Sequence, residues 1–128
     1  MTKAQKLEAC FNLLVNDYGE KNPFIPHYKE IDWPQVYANS IFDLEYGNCF
    51  SYAAGIAYLA KAIGYTEVYA LNSGGHGFAE IDGLVYDPEW TKNHTFRYYA
   101  LAYEASPDLN YKGVRDASVN NAWMRVKI

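Results

Sequence analysis

The sequence predicts an α+β fold. Apolar residues recur at helical spacing through the first half, strand-like runs follow in the second, and Asp82-Gly83 joins two of those runs as a tight hairpin would. Helices first and an antiparallel sheet afterwards define the class. The 128 residues suit one domain, 1–128, large enough for a real core.

Thr2 caps a first helix from about Ala4 to Tyr18, with Leu7, Cys10, Phe11, Leu14, Val15 and Tyr18 in one apolar stripe. Cys10 lies inside that stripe and reads as a small buried hydrophobe. Gly19 ends the helix. The stretch from Gly19 to Trp33, punctuated by Pro23 and Pro26, reads as a long loop of the kind that lines sites, and it carries His27, read as solvent-facing or structural. Asp32-Trp33-Pro34 predicts a second helix start, with Asp32 as cap, running to about Phe42. Cys49 to Ile63 reads as a helix apolar nearly all round, which belongs in the middle of a domain; Gly55 implies a close packing contact and Gly64 the C-terminal cap. Strands are expected at Glu67–Leu71, His76–Ile81, Leu84–Asp87 and Phe96–Glu104. Ser106–Asn121 is expected to be loop, and Ala122–Ile128 a terminal strand.

Half the residues are hydrophobic and a fifth charged, a globular composition. A net charge of −4 argues against nucleic acid or an anionic membrane surface as partner. No apolar run approaches the ~20 residues that span a bilayer, and the first residues lack a signal peptide's apolar core. The expected location is cytoplasmic, or secreted or cell-surface if the chain is a piece of a longer exported protein. Two cysteines make no disulfide framework, so Cys10 and Cys49 are expected as free thiols. The 13 tyrosines, apolar rings with polar tips, suit half-buried faces and sugar or peptide contacts.

Three segments carry chemistry: Gly47-Asn48-Cys49, Gly74-Gly75-His76 and Val85-Tyr86-Asp87-Pro88. Thiol, imidazole and carboxylate are the nucleophile, proton carrier and orienter that thiol-based acyl transfer needs. Hairpin register tests whether they meet. With Asp82 and Gly83 as turn residues, Ile81 faces Leu84, Ala79 faces Tyr86 and Phe78 faces Asp87. His76 shares the face of Phe78, so Asp87 lies one diagonal step from it. At the start of a helix, Cys49 sits where unpaired N–H groups favour negative charge, and its own amide is the first donor for an oxyanion. Gly47 lets the chain turn sharply before it. His27, His76 and His94 are widely spaced, and no Cys or His pair has metal-ligand spacing, so no metal and no cofactor is expected. Gly74-Gly75 precedes a strand rather than a helix and is no phosphate loop.

With these segments in hand, the chain resembles the transglutaminase-like superfamily, in particular its small bacterial members. Gly47-Asn48-Cys49-Phe50-Ser51-Tyr52-Ala53, Ala62-Ile63-Gly64-Tyr65, His76-Gly77-Phe78-Ala79-Glu80 and Tyr86-Asp87-Pro88 follow the family's order over about residues 36 to 90. The resemblance implies a papain-like core, a Cys-bearing helix packed on an antiparallel sheet that carries His and Asp. It implies Cys49 as nucleophile, His76 as general base and then acid, and Asp87 as orienter. Phe78 stands where the family usually has Trp. Trp33, Tyr37 and Asn39 are the candidates for the upstream oxyanion donor, and with Asn48 and Phe78 they make up the expected oxyanion hole or substrate groove. The expected activity is acyl transfer on amide bonds of a peptide or protein substrate, cell-wall peptide included, through a thioester. Water as acceptor gives a peptidase or amidase, an amine a crosslinker. The alternative is a catalytically silent module that binds peptide or cell-wall polymer.

Overall fold

The computed structural model describes residues 1–26 and 29–128; His27 lies outside them. Helix α1, Lys3–Asp17, opens on a capping box in which Thr2 accepts from the Gln5 amide and Gln5 answers to the Thr2 amide. Leu7, Phe11 and Leu14 are its buried face, and Cys10 is half-buried against the same core. Strand β1, Gly19–Glu20, pairs in parallel with β2, Tyr46–Gly47, so the predicted loop begins with a short ladder. A two-residue strand leaves too little pattern to read from sequence.

Helix α2 is Trp33–Leu44, two residues longer than expected. Pro34 occupies its first turn as predicted, but the Asp32 side chain makes no capping bond. The helix ends at Glu45, whose left-handed φ of 58° lets its N–H reach the Ile41 carbonyl at 2.8 Å. Helix α3, Cys49–Ile63, is the centre of the molecule: Tyr52, Ala53, Ala54, Ile56, Ala57 and Ala60 are fully buried. Its small residues let neighbours in. A Cβ on Gly55 would stand 3.3 Å from Ile41 Cγ2, the close contact that its glycine implied. Gly64 caps the helix, as expected, at a φ of 121°.

Four strands form the main sheet, in the order β5-β4-β3-β6: β3 Val68–Asn72, β4 Gly77–Ile81, β5 Leu84–Tyr86 and β6 Arg125–Lys127, each neighbouring pair antiparallel. The β4–β5 register is the expected one, Ile81 with Leu84, Glu80 with Val85 and Ala79 with Tyr86. Asp82 and Gly83 both take positive φ, the requirement of a two-residue turn that follows strand twist. Val68, Ala70, Ala79 and Ile81 face α3 in one core. Leu71, Phe78 and Val85 face the other way, into a second core closed by Tyr98, Tyr103 and Tyr111. With both faces covered, all five β4 residues are buried.

Four further expectations need correction. Phe96–Glu104 forms no strand; a single bridge joins Leu101 to Val85, and a φ of 51° at Ala100 breaks the extended run. Tyr98 and Tyr103 fill the second core, while Tyr99 packs on Phe11 and Tyr86 at the first. Within Ser106–Asn121, expected as loop, Tyr111–Ala117 is helix α5, started by Asn110 accepting from the Gly113 amide at 2.9 Å and followed by a 3₁₀ turn over Ser118–Asn120. The terminal strand is shorter than Ala122–Ile128 because Ala122–Met124 is a second 3₁₀ turn. There the Trp123 carbonyl accepts the Trp33 indole proton at 2.7 Å and ties this end to α2. Between β5 and the tyrosine-rich stretch, Pro88–Asn93 forms helix α4, and Asp87 is its N-cap rather than the last strand residue.

Gly77 sets the distance between β4 and α3. A Cβ there would stand 2.9 Å from the Phe50 ring and 3.2 Å from its Cα, so any side chain would push the strand off the helix. Gly77→Ala is expected to cost about 1–3 kcal/mol in chemical denaturation. Gly75→Ala, two residues earlier in open space, should change stability by less than about 0.5 kcal/mol.

Candidate functional site

Each of the three sequence-predicted groups is held at the end of an element. Cys49 is the first residue of α3. Asn48 before it is the N-cap, and its Oδ1 accepts from the amides of Phe50 at 3.1 Å and Ser51 at 3.2 Å. Ser51 Oγ returns the bond by accepting from the Asn48 amide at 3.0 Å. Gly47 is required here, since a Cβ would collide with Cβ and Oγ of Ser51. The cap therefore takes two of the open amides that the sequence suggested for an anion. Among the described residues, the Cys49 N–H has no acceptor. Asn48 is thus a positioning residue of the helix start.

His76 immediately precedes β4, its backbone N–H held by Ser73 Oγ at 3.0 Å. Because Gly77 brings this strand end against Phe50, the neighbours His76 and Cys49 converge. The Cys49 Sγ, a His76 ring nitrogen and a Glu89 carboxylate oxygen all lie within 4.8 Å of one another. His76 Nε2 is 2.6 Å from Asp87 Oδ2, which leaves Nδ1 toward Cys49 and Glu89; Nδ1 is 3.9 Å from Glu89 Oε1. The edge of the Trp90 ring meets the imidazole, centroids 5.2 Å apart.

Asp87 is fully buried and is satisfied by three donors. Oδ2 takes the His76 ring and the Tyr111 hydroxyl, the latter at 2.7 Å, and Oδ1 takes the Trp90 amide of α4 at 3.0 Å. Burial works against a charged His76, but the hydrogen bonds and charges of Asp87 and Cys49 outweigh it and push the ring up to about 10. The resting imidazole is accordingly an imidazolium at neutral pH. Burial, with the Asp87 charge, also drives the Tyr111 hydroxyl far up, so it stays a donor.

Glu89 and Tyr111 were missed in the sequence. Glu89 is buried beside the thiol and ring; its Oε2 accepts from Asn93 Nδ2 at 2.7 Å, and the same amide nitrogen reaches Glu20 Oε1 of β1 at 2.8 Å. Burial, helped by Glu20, pushes the Glu89 carboxyl up to about 7, against the pull of the Asn93 hydrogen bond and the His76 charge. The Asp87-Pro88-Glu89 string marks a helix start whose capping aspartate and third residue could both serve a site, which was the available signal. Nothing in local spacing announces Tyr111.

Trp33 and Tyr37 pack their rings on Phe50, with centroids at 5.9 and 5.6 Å. The Trp33 indole donates to Trp123 and the Tyr37 hydroxyl to the Ile25 carbonyl at 3.3 Å. Asn39 is exposed on α2. Phe78 is buried against Tyr111 and helps line a pocket of about 70 Å³ beside His76, with Ser73, Leu109, Asn110 and Val114. Glu80, the motif's last residue, is bound by Arg125 of β6 at 2.8 Å and by the Tyr103 hydroxyl at 2.5 Å, a structural role. No family model, no curated protein and no solved structure matches the chain.

Tyr111→Phe removes one donor from a buried carboxylate and should cost about 1.5–3 kcal/mol of stability in denaturant titrations. The two upward shifts also set a pH dependence. Because the folded state keeps protons that the unfolded chain releases, stability falls as pH rises. For Glu89 the fall runs from its ordinary 4.5 to about 7. For His76 it starts at 6.5 and is complete above about 10. Unfolding free energies measured across both windows should flatten in the lower one for Glu89→Gln and in the upper one for His76→Gln.

Proposed function

We propose that the chain is a cysteine-nucleophile acyl-transfer enzyme with a transglutaminase-like, papain-like core, acting on amide bonds of a peptide or protein. The observation that carries this reading is the shared imidazole: one ring nitrogen of His76 meets the Asp87 carboxylate at 2.6 Å while Cys49 Sγ lies within 4.8 Å of the ring. Thiol, imidazole and buried carboxylate in that order are the parts of an acyl-transfer triad.

The sulfur attacks the amide carbonyl carbon, and charge moves to the oxygen. The Cys49 N–H, free of any acceptor among the described residues, is positioned to donate to that oxygen. As the C–N bond breaks, His76 gives its proton to the departing amine, leaving a thioester on Cys49. Neutral His76 then takes a proton from water or from a second amine as that group attacks the thioester. The C–S bond breaks, and thiolate and imidazolium are restored. Asp87, oriented by Tyr111 and the Trp90 amide, holds the neutral ring in one tautomer and stabilises its positive charge whenever it is protonated. Water as acceptor makes the enzyme a peptidase or amidase.

Incubation with a glutamine-containing peptide and a primary amine, read by mass, distinguishes hydrolysis from crosslinking. Turnover and the thioester adduct should both vanish in Cys49→Ala. Asp87→Asn should lower kcat by about 10²–10⁴-fold, because the ring loses its orienting charge. Iodoacetamide should modify Cys49 well before Cys10, whose thiol burial pushes up. Equal labelling of both thiols, with turnover kept in Cys49→Ala, would refute the assignment.

A further inference from the structure

Glu89 has no part in the thiol chemistry, and among the described residues its buried carboxyl faces a single cationic partner, the His76 ring at 3.9 Å. Among the described residues no Lys or Arg forms an ion pair with it; its contacts are Asn93, Glu20 and the His76 ring. We propose that Cys49, His76 and Glu89 form a three-ligand site for a divalent cation of the Zn²⁺ class, and that the bound cation blocks the thiol.

Three features of the site support this. The first is spacing. A tetrahedral Zn²⁺ with bonds of about 2.0–2.3 Å holds its ligand atoms about 3.3–3.6 Å apart. The sulfur, ring nitrogen and carboxylate oxygen already lie within 4.8 Å, and the nitrogen–oxygen pair at 3.9 Å. Closing on a cation asks for side-chain shifts of about 1 Å or less by that geometry. The second is outer support. A metal-binding His is usually oriented by a carboxylate on its other nitrogen, and a ligating carboxylate by a hydrogen bond on its second oxygen. His76 has Asp87 at 2.6 Å on Nε2, and Glu89 has Asn93 at 2.7 Å on Oε2. The third is donor type. One thiolate, one imidazole and one carboxylate suit Zn²⁺ or Co²⁺, whereas Mg²⁺ and Ca²⁺ prefer all-oxygen sites.

Binding displaces to solvent the imidazolium proton and whatever protons the thiol and the Glu89 carboxyl carry at that pH, and no electron changes hands. The sulfur's lone pair then belongs to the metal, and attack on a carbonyl is stopped until the cation leaves. Three protein ligands leave one coordination position for water. The binding step needs only the geometry and stands independently of the proposed activity; the inhibition rests on that activity.

Co²⁺ titration of the full chain, cleared of metal beforehand, reads the site directly. A thiolate-to-cobalt charge-transfer band should appear, persist in Cys10→Ser and disappear in Cys49→Ser. Zn²⁺ affinity, measured by competition with a chromogenic chelator, should fall at least about tenfold in Glu89→Gln, with circular dichroism confirming the fold. Zn²⁺ but not Mg²⁺ should slow iodoacetamide modification of Cys49. A folded wild type without the band, a band that survives Cys49→Ser, or equal Zn²⁺ affinity in wild type and Glu89→Gln would each overturn the proposal. A cobalt band in a protein that turns over no amide would keep the metal site and remove the acyl-transfer reading; turnover without the band would do the reverse.

Discussion

The Asp87 carboxylate is the constraint around which the rest is arranged. It is fully buried, and a buried carboxylate is kept only where hydrogen-bond donors replace the water it has lost. Its three donors come from three separate pieces of chain: the ring of His76 before β4, the hydroxyl of Tyr111 on α5, and the amide of Trp90 within α4. Satisfying the one group therefore fixes the end of the sheet, the start of α4 and the docking of α5 together. The second core, Phe78 with Tyr98, Tyr103 and Tyr111, is the packing that seals this network from water. Stability and chemistry are not separable here, since the bond that orients the imidazole also anchors the tertiary structure.

Sulfur and imidazole meet for a different reason, the close approach of β4 to α3. Gly77 permits it from the strand side, and the small residues of α3 permit it from the helix side. At the helix start, Asn48 answers the amides of Phe50 and Ser51, so the open polarity narrows to the single N–H of Cys49. A donor left unanswered beside a half-buried sulfur favours an incoming oxygen at that point over any other on the helix.

Much of this was legible in the sequence where the signal is local. The α3 boundaries, the Gly64 cap and the β4–β5 register followed from periodicity and from Asp82-Gly83, and the register alone put His76 and Asp87 on one face. What was hidden depends on distance along the chain. Tyr111 reaches Asp87 across 24 residues of chain that include α4 and a long irregular segment, so no spacing rule could link them. Glu89 sits two residues past Asp87, but only the fold shows that the first turn of α4 aims it at the thiol. The stretch from Phe96 to Glu104 misled because the left-handed turn at Ala100 and the split of Tyr98 and Tyr99 between two cores are set by tertiary packing and leave no local pattern.

The short β1–β2 ladder carries a further implication. It is parallel, it joins Gly19–Glu20 to Tyr46–Gly47, and it feeds directly into the residue before the Asn48 cap. Parallel pairing closes a long loop for very few backbone bonds, which makes it a late and reversible event in folding. Opening this ladder without unfolding α3 or the sheet would draw Glu20 away from Asn93 and Glu89. Amide hydrogen exchange at Gly19 and Lys21, whose N–H groups bind the Glu45 and Gly47 carbonyls at 3.0 Å, would then report how often the ladder opens and Glu89 loses this neighbour.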